Sequence, residues 1–145
     1  MFKHILVATD GSERSERAIR FAVDLARSNV ARLTAITSTW PVPPIQLEAI
    51  GAFIPNEELE QNARQWAARC LAAARDAAES AGIVCETVHL RHGYPHEAIV
   101  ETAEKKACDL IVMASHGRSG AATVPVASET QKVLARTKIP VLVCR

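Results

Sequence analysis

The residues best suited to chemistry lie between Asp109 and Thr137, in the stretch DLIVMASHGRSGAATVPVASETQKVLART. Leu110 to Met113 form a short apolar run that reads as a buried strand. It gives way to ASHGRSG and then to a loop of small residues. A helix start follows, with Ser128 three residues before Gln131, the spacing of a capping box. A strand, a small-residue loop and a helix N-terminus together suit an anion. The first backbone N–H groups of a helix have no intrahelical partner, and the helix dipole favours negative charge there. The chemistry expected is the holding of a phosphate group.

Other chemistry finds less support. The chain has no G-x4-G-K-[ST], G-x-G-x-x-G or G-x-S-x-G motif, and no lysine in the small-residue loop. His116 in that loop reads as an ordinary loop histidine. His89, His92 and His96 are close in sequence but divide among a strand end, a turn and a helix, so no metal site is expected. Nothing places an activated water against a phosphate. Binding without fast turnover is the expectation, with no catalytic residue.

The elements that must position this stretch follow from composition and periodicity. At 145 residues and 48% apolar, the chain is expected to form one domain, 1–145, with a substantial core. A net charge of +1 and the lack of a basic tract argue against a nucleic-acid partner. The apolar runs are too short to span a bilayer, and MFKHILVATDG does not read as a signal peptide, so the cytoplasm is expected. Cys70, Cys85, Cys108 and Cys144 have no metal-ligand spacing and read as reduced, buried thiols.

Lys3 to Thr9, with Ile5, Leu6 and Val7 in succession, reads as a strand buried on both faces. Ser12 is a candidate N-cap for an amphipathic helix over Glu13 to Ser28, with Ala18, Ile19, Ala22, Leu25 and Ala26 inward. Arg14, Arg17, Arg20 and Arg27 read as its solvated face. Arg32 to Thr37 is a second strand. Ser38 to Pro55, with four prolines, reads as an irregular loop beyond a short turn at Leu47 to Ile50. Asn56 caps a long helix to Ala81, whose inward stripe includes Leu59, Trp66, Ala67, Cys70 and Ala74. Gly82 ends it. A strand over Ile83 to Leu90 and a helix from Pro95 to Lys106 follow. The Asp109 strand, a helix over Ser128 to Arg136 with Val133 and Leu134 inward, and a last strand over Ile139 to Cys144 complete the chain.

This alternation predicts the α/β class: an open five-stranded parallel sheet with helices on both faces and right-handed crossovers. Ligands bind such sheets beyond the carboxyl ends of the strands, where the strand order reverses. Ala8 to Ser12, Ile36 to Trp40 and Ala114 to Gly120 all lie at such ends.

With these pieces placed, the sequence resembles the universal stress proteins. The likeness rests on ILVATDGS, GYPHEAI, DLIVMASHGRSG and SETQKVLARTKIPVLVCR, and covers the whole chain. It implies a Rossmann-like sheet, adenine-nucleotide-alpha-hydrolase-like in form, a homodimer, and ATP or AMP binding in some members but not in others. Asp10, beside Ala8 and Thr9, would face the ribose or a magnesium-bound phosphate. Ile36 would offer backbone groups to the adenine edge, and Met113 and Ala114 would line the nucleoside. Gly117, Arg118, Ser119 and Gly120 would wrap the phosphates, and Ala127, Ser128 and Glu129 would cap the terminal one. The family's pattern G-x2-G-x9-G-[ST] falls here on Ala114, Gly117, Ala127 and Ser128, so one glycine of three is kept, and Pro125 stiffens the filler. Two functions follow: a nucleotide-binding stress sensor or regulator, or a member without nucleotide acting as a dimeric interaction module. In both, Ile139 to Cys144 would pair with a second copy.

Overall fold

The computed structural model describes residues 1–115 and 129–145. Among them the order is β1 (His4–Ala8), α1 (Glu13–Asn29), β2 (Arg32–Thr39), β3 (Ile45–Leu47), β4 (Ala52–Ile54), α2 (Glu57–Ser80), β5 (Cys85–Arg91), α3 (Pro95–Lys105), β6 (Leu110–Ala114), α4 (Glu129–Arg136) and β7 (Val141–Cys144). Five strands form one sheet in the order β5-β2-β1-β6-β7, every pairing parallel. Val7 at its centre lies opposite Ala35 on one side and Val112 on the other.

The apolar run of β1 does not alternate because both faces of the sheet are covered. Ile5 and Val7 join Leu33, Ala35 and Leu110 under α1 and α2, through Ile19, Ala22, Leu71 and Ala74. Leu6 joins Ile36 and Ile111 on the other face, under Ile99, Val100 and Ala103 of α3 and Val133 of α4. Each aliphatic side chain so buried contributes roughly 1.5–3 kcal/mol of transfer free energy. The expected α/β architecture, with helices on both faces, is the one observed.

The helix ends follow local chemistry. Ser12 Oγ accepts the Ser15 N–H at 3.2 Å, and Asn56 Oδ1 accepts that of Leu59 at 3.3 Å. Gly82 adopts φ +72° just beyond α2, and Pro95 opens α3. The α1 C-terminus is less usual: Val30, a β-branched residue, takes the left-handed conformation at φ 54°.

Three expectations are corrected. The segment Ser38 to Pro55 is not irregular throughout. β2 runs on to Thr39, and β3 and β4 form an antiparallel hairpin pairing Ile45 with Ile54 and Leu47 with Ala52. Its turn uses Gly51 at φ 61°. In α4, Val133 is fully buried but Leu134 is half exposed, because eight residues present one narrow face to the sheet. In α2, the buried stripe is Ala67, Cys70, Leu71, Ala74 and Ala78. Leu59 is exposed and Trp66 half-buried, in the turns before the helix reaches the sheet. No disulfide joins the four cysteines; Cys70 and Cys108 are buried, and Cys85 and Cys144 half-buried.

Candidate functional site

From β1 the chain builds outward through β2 to β5 on one side, and then crosses through α3 to β6 and β7 on the other. The strand order therefore reverses between β1 and β6, and a crevice opens at their carboxyl ends. Ala8, Thr9, Asp10, Ile36, Met113 and Ala114 all come to this end of the sheet.

The turn after β1 is wired residue by residue. Asp10 Oδ1 accepts the Ser12 N–H at 2.9 Å. The Gly11 N–H reaches Thr9 Oγ1 at 3.2 Å, Thr9 Oγ1 lies 3.1 Å from Ser15 Oγ, and Ser15 Oγ donates to the Ser12 carbonyl at 2.9 Å. Ser15 has one hydroxyl proton, and the carbonyl can only accept. Thr9 is therefore the donor to Ser15, and the chain Gly11, Thr9, Ser15, Ser12 has one direction. The Thr9 hydroxyl is thereby committed to holding the turn. Asp10 keeps Oδ2 without a hydrogen-bond partner among the described residues. Gly11 sits at φ +79°, and a Cβ there would come within 2.8 Å of Cys70 Sγ on α2. Glycine is needed on both counts.

Beside this turn, the Ile36 carbonyl accepts the Thr9 N–H at 2.9 Å, which leaves it one lone pair. Thr37, the next residue, is buried, and its Oγ1 has no partner among the described residues. Met113 and Ala114 are buried at the end of β6. The Ala114 carbonyl accepts from Thr130 Oγ1 at 2.7 Å, fastening the start of α4 to the strand.

The Glu129 side chain turns towards α3. Its Oε2 accepts both the backbone N–H of His96 at 2.8 Å and the ring Nδ1–H of His96 at 2.9 Å, and its Oε1 accepts from Lys132 at 3.1 Å. Burial alone would raise this carboxyl, but the hydrogen bonds from Lys132 and His96 together hold it below the ordinary carboxylate value. The side chain serves as an anionic cap on the first turn of α3, so only the backbone of Glu129 is left for a phosphate. This bond crosses 33 residues and has no local sequence signal. His116, Gly117, Arg118, Ser119, Gly120, Pro125, Ala127 and Ser128 lie outside the described residues.

The three nearby histidines take separate partners. His89 Nε2 bonds Thr39 Oγ1 at 2.7 Å, and His96 is held by Glu129. His92 Nε2 lies 3.8 Å from Glu97 Oε2 and 3.9 Å from Glu101 Oε2. That trio resembles a metal-ligand set, but His92 Nδ1 accepts the Tyr94 N–H at 3.0 Å. A neutral His92 must then carry its proton on Nε2, facing the carboxylates. A ligating imidazole needs the reverse, with Nδ1–H donating. Glu97 Oε1 is also taken by Arg136 at 3.1 Å. The trio sets one imidazole edge against two carboxylates at the α3 start, with Arg136 bridging to Glu97.

A parallel sheet with this strand order, helices on both faces and a wired acidic turn at the switch point defines a Rossmann-like α/β protein. Within that class, the chain belongs to the universal stress protein family, whose family model matches residues 1–145. It is 34% identical to the universal stress protein MJ0531 of Methanocaldococcus jannaschii, covering all of this chain and 83% of the relative. It is 32% identical to a universal stress protein of Thermus aquaticus over the full length of both chains. Among solved structures it is similar to a universal stress protein in complex with cAMP, with TM-score 0.71 and 28% identity over 99% of this chain and 97% of that one.

Proposed function

We propose that this protein binds an adenine nucleotide, AMP or ATP, in the crevice between the β1 and β6 carboxyl ends, and acts as a stress-response sensor or regulator. The observation that carries this reading is Asp10. One oxygen fixes its own turn, and the other has no partner among the described residues, at the position where the strand order reverses. A carboxylate oxygen of this kind suits a ribose hydroxyl pair. The second lone pair on the Ile36 carbonyl and the unpartnered Thr37 hydroxyl are polar groups at the same end of the sheet. The similar protein in complex with cAMP supports an adenine nucleotide as the ligand class.

The residues assigned to the nucleotide are Ala8, Asp10, Ile36, Met113 and Ala114 for the nucleoside. For the phosphates they are Gly117, Arg118, Ser119, Gly120, Ala127, Ser128 and the Glu129 backbone. Thr9 positions the turn. Magnesium would enter on the phosphates and not through a protein cage. No side chain is assigned to catalysis, and the reading is of binding without fast turnover. The cytoplasm is the compartment that fits; no described helix is long and apolar enough to cross a membrane.

Thermal unfolding with AMP and with ATP, with and without magnesium, tests this. Stabilisation by ~2.7 kcal/mol is expected at a hundredfold excess of nucleotide over Kd, and Asp10→Ala should abolish it. Unchanged melting at millimolar nucleotide would favour the dimeric interaction module instead, a reading that Ala114, Pro125 and Ala127 support through their departure from the glycine pattern.

A further inference from the structure

We propose that the β3–β4 hairpin is a docking surface for an extended, cationic segment of another protein, one in which apolar residues alternate with Lys or Arg. Six of the thirteen exposed large apolar side chains among the described residues lie in one stretch: Trp40, Ile45, Ile50, Phe53, Ile54 and Leu59. Such side chains scattered singly need no partner, but a concentration of them marks an interaction site. Ile45 pairs with Ile54 and Leu47 with Ala52 across the hairpin, so one of its faces is wholly apolar. Phe53, 63% exposed, stands on the other. The hairpin is a sheet of its own. Neither strand joins the main sheet, and both outer edges are without a partner strand among the described residues. Two strands alone are marginally stable in water, and a third strand with apolar contacts changes that. Pro44 and Pro55 flank the strands and confine pairing to three residues, which suits a short segment and discourages open-ended association.

The charge around the hairpin selects the occupant. No Lys or Arg occurs between Arg32 and Arg64, whereas Glu48 sits in the hairpin turn and Glu57 and Glu58 open α2 directly after it. All three glutamates are exposed and have no ion pair among the described residues. Two copies of the hairpin would bring like-charged rims together, and an anionic lipid surface would meet no cation here. An extended cationic segment answers both features. Its backbone takes up an outer edge, and its apolar side chains, all on one side, pack beside Ile45 or Ile54. Its cations, on the other side, meet Phe53 and the acidic rim.

This inference does not rest on the nucleotide reading. Titration of the full chain with a short synthetic peptide of alternating valine and lysine, followed through amide chemical shifts, tests it. Saturable shifts are expected across the hairpin and at Glu57 to Leu59, with affinity falling as salt rises. Phe53→Ser and Glu48→Lys should each weaken binding about tenfold. Both side chains are exposed, so neither change disturbs the core. A peptide with glutamate in place of lysine should not bind. Absence of saturation at millimolar valine–lysine peptide, equal binding by both variants, or equal binding of the glutamate peptide would overturn the proposal. Two further outcomes would overturn it by naming another occupant. Association of Val143→Lys into dimers that Phe53→Ser abolishes gives the surface to a second copy. Co-sedimentation with vesicles of phosphatidylcholine and phosphatidylglycerol, lost in Phe53→Ser, gives it to lipid.

Discussion

Two residues carry most of the local constraint at the crevice and at the opposite end of the sheet. Gly11 takes a left-handed backbone with Cys70 Sγ directly beneath it. Gly11→Ala should cost about 1–3 kcal/mol, from the left-handed penalty and the contact with a buried sulfur. Urea melts check this, and Cys70→Ala in the same chain should return the steric share but not the backbone share. An additive double variant would refute the contact. At the amino end of β1, buried His4 donates from Nδ1 to the Lys106 carbonyl at 3.1 Å and meets Thr34 Oγ1 at 2.7 Å through Nε2. Burial, and then the Arg32 charge, lower its pKa below the ordinary 6.5. The unfolded chain therefore takes up the proton first as pH falls. The His4 contribution is complete above pH 6.5 and is lost as pH drops through its folded value. Stability measured from pH 7 to pH 5 should fall, and His4→Gln should flatten the slope; an identical slope in that variant would refute the assignment. The sequence offered no sign of this histidine's role, since its partners lie 30 and 102 residues away.

The elements were legible where their signals are local. The caps at Ser12, Asn56 and Gly82, the proline opening α3 and the apolar runs of β1 and β6 all act within a few residues. The hairpin was not, because Pro41, Pro43, Pro44 and Pro55 mask two three-residue strands whose only local mark is Gly51 before Ala52. The direction of Leu134 was lost for a related reason: an eight-residue helix gives too few turns to fix its buried face from periodicity. The Asp10 turn lies between these cases. The acid and the glycine were visible, but the path from Gly11 through Thr9 and Ser15 to Ser12 exists only in the folded chain. The end of α1 offers a stabilising change. Val30 is 92% exposed and left-handed, so it gains nothing from burial and carries backbone strain. Val30→Gly should raise stability by about 1 kcal/mol. An unchanged or lower denaturation midpoint would show that the strain is offset elsewhere.

At the scale of the whole molecule, the two free edges of the main sheet differ. β5 carries Glu86, His89 and Arg91, and charged edges discourage pairing. β7, Val-Leu-Val-Cys, has no charge, and Val143 is 36% exposed. We therefore propose pairing of two copies through Ile139 to Cys144. Light scattering should give a dimer for the wild type and a monomer for Val143→Lys, and a wild-type monomer would contradict it. The crevice lies at the carboxyl ends of these same strands, so the sheet order is what gathers residues as distant as Asp10 and Met113. The central claim is that an adenine nucleotide occupies this place. Amide chemical shifts recorded during titration with AMP test it most directly. The account predicts saturable shifts at Asp10 to Ser12, Ile36 to Ser38 and Met113 to Ser115, absent in Asp10→Ala. A titration that leaves those amides unmoved at millimolar AMP would contradict it.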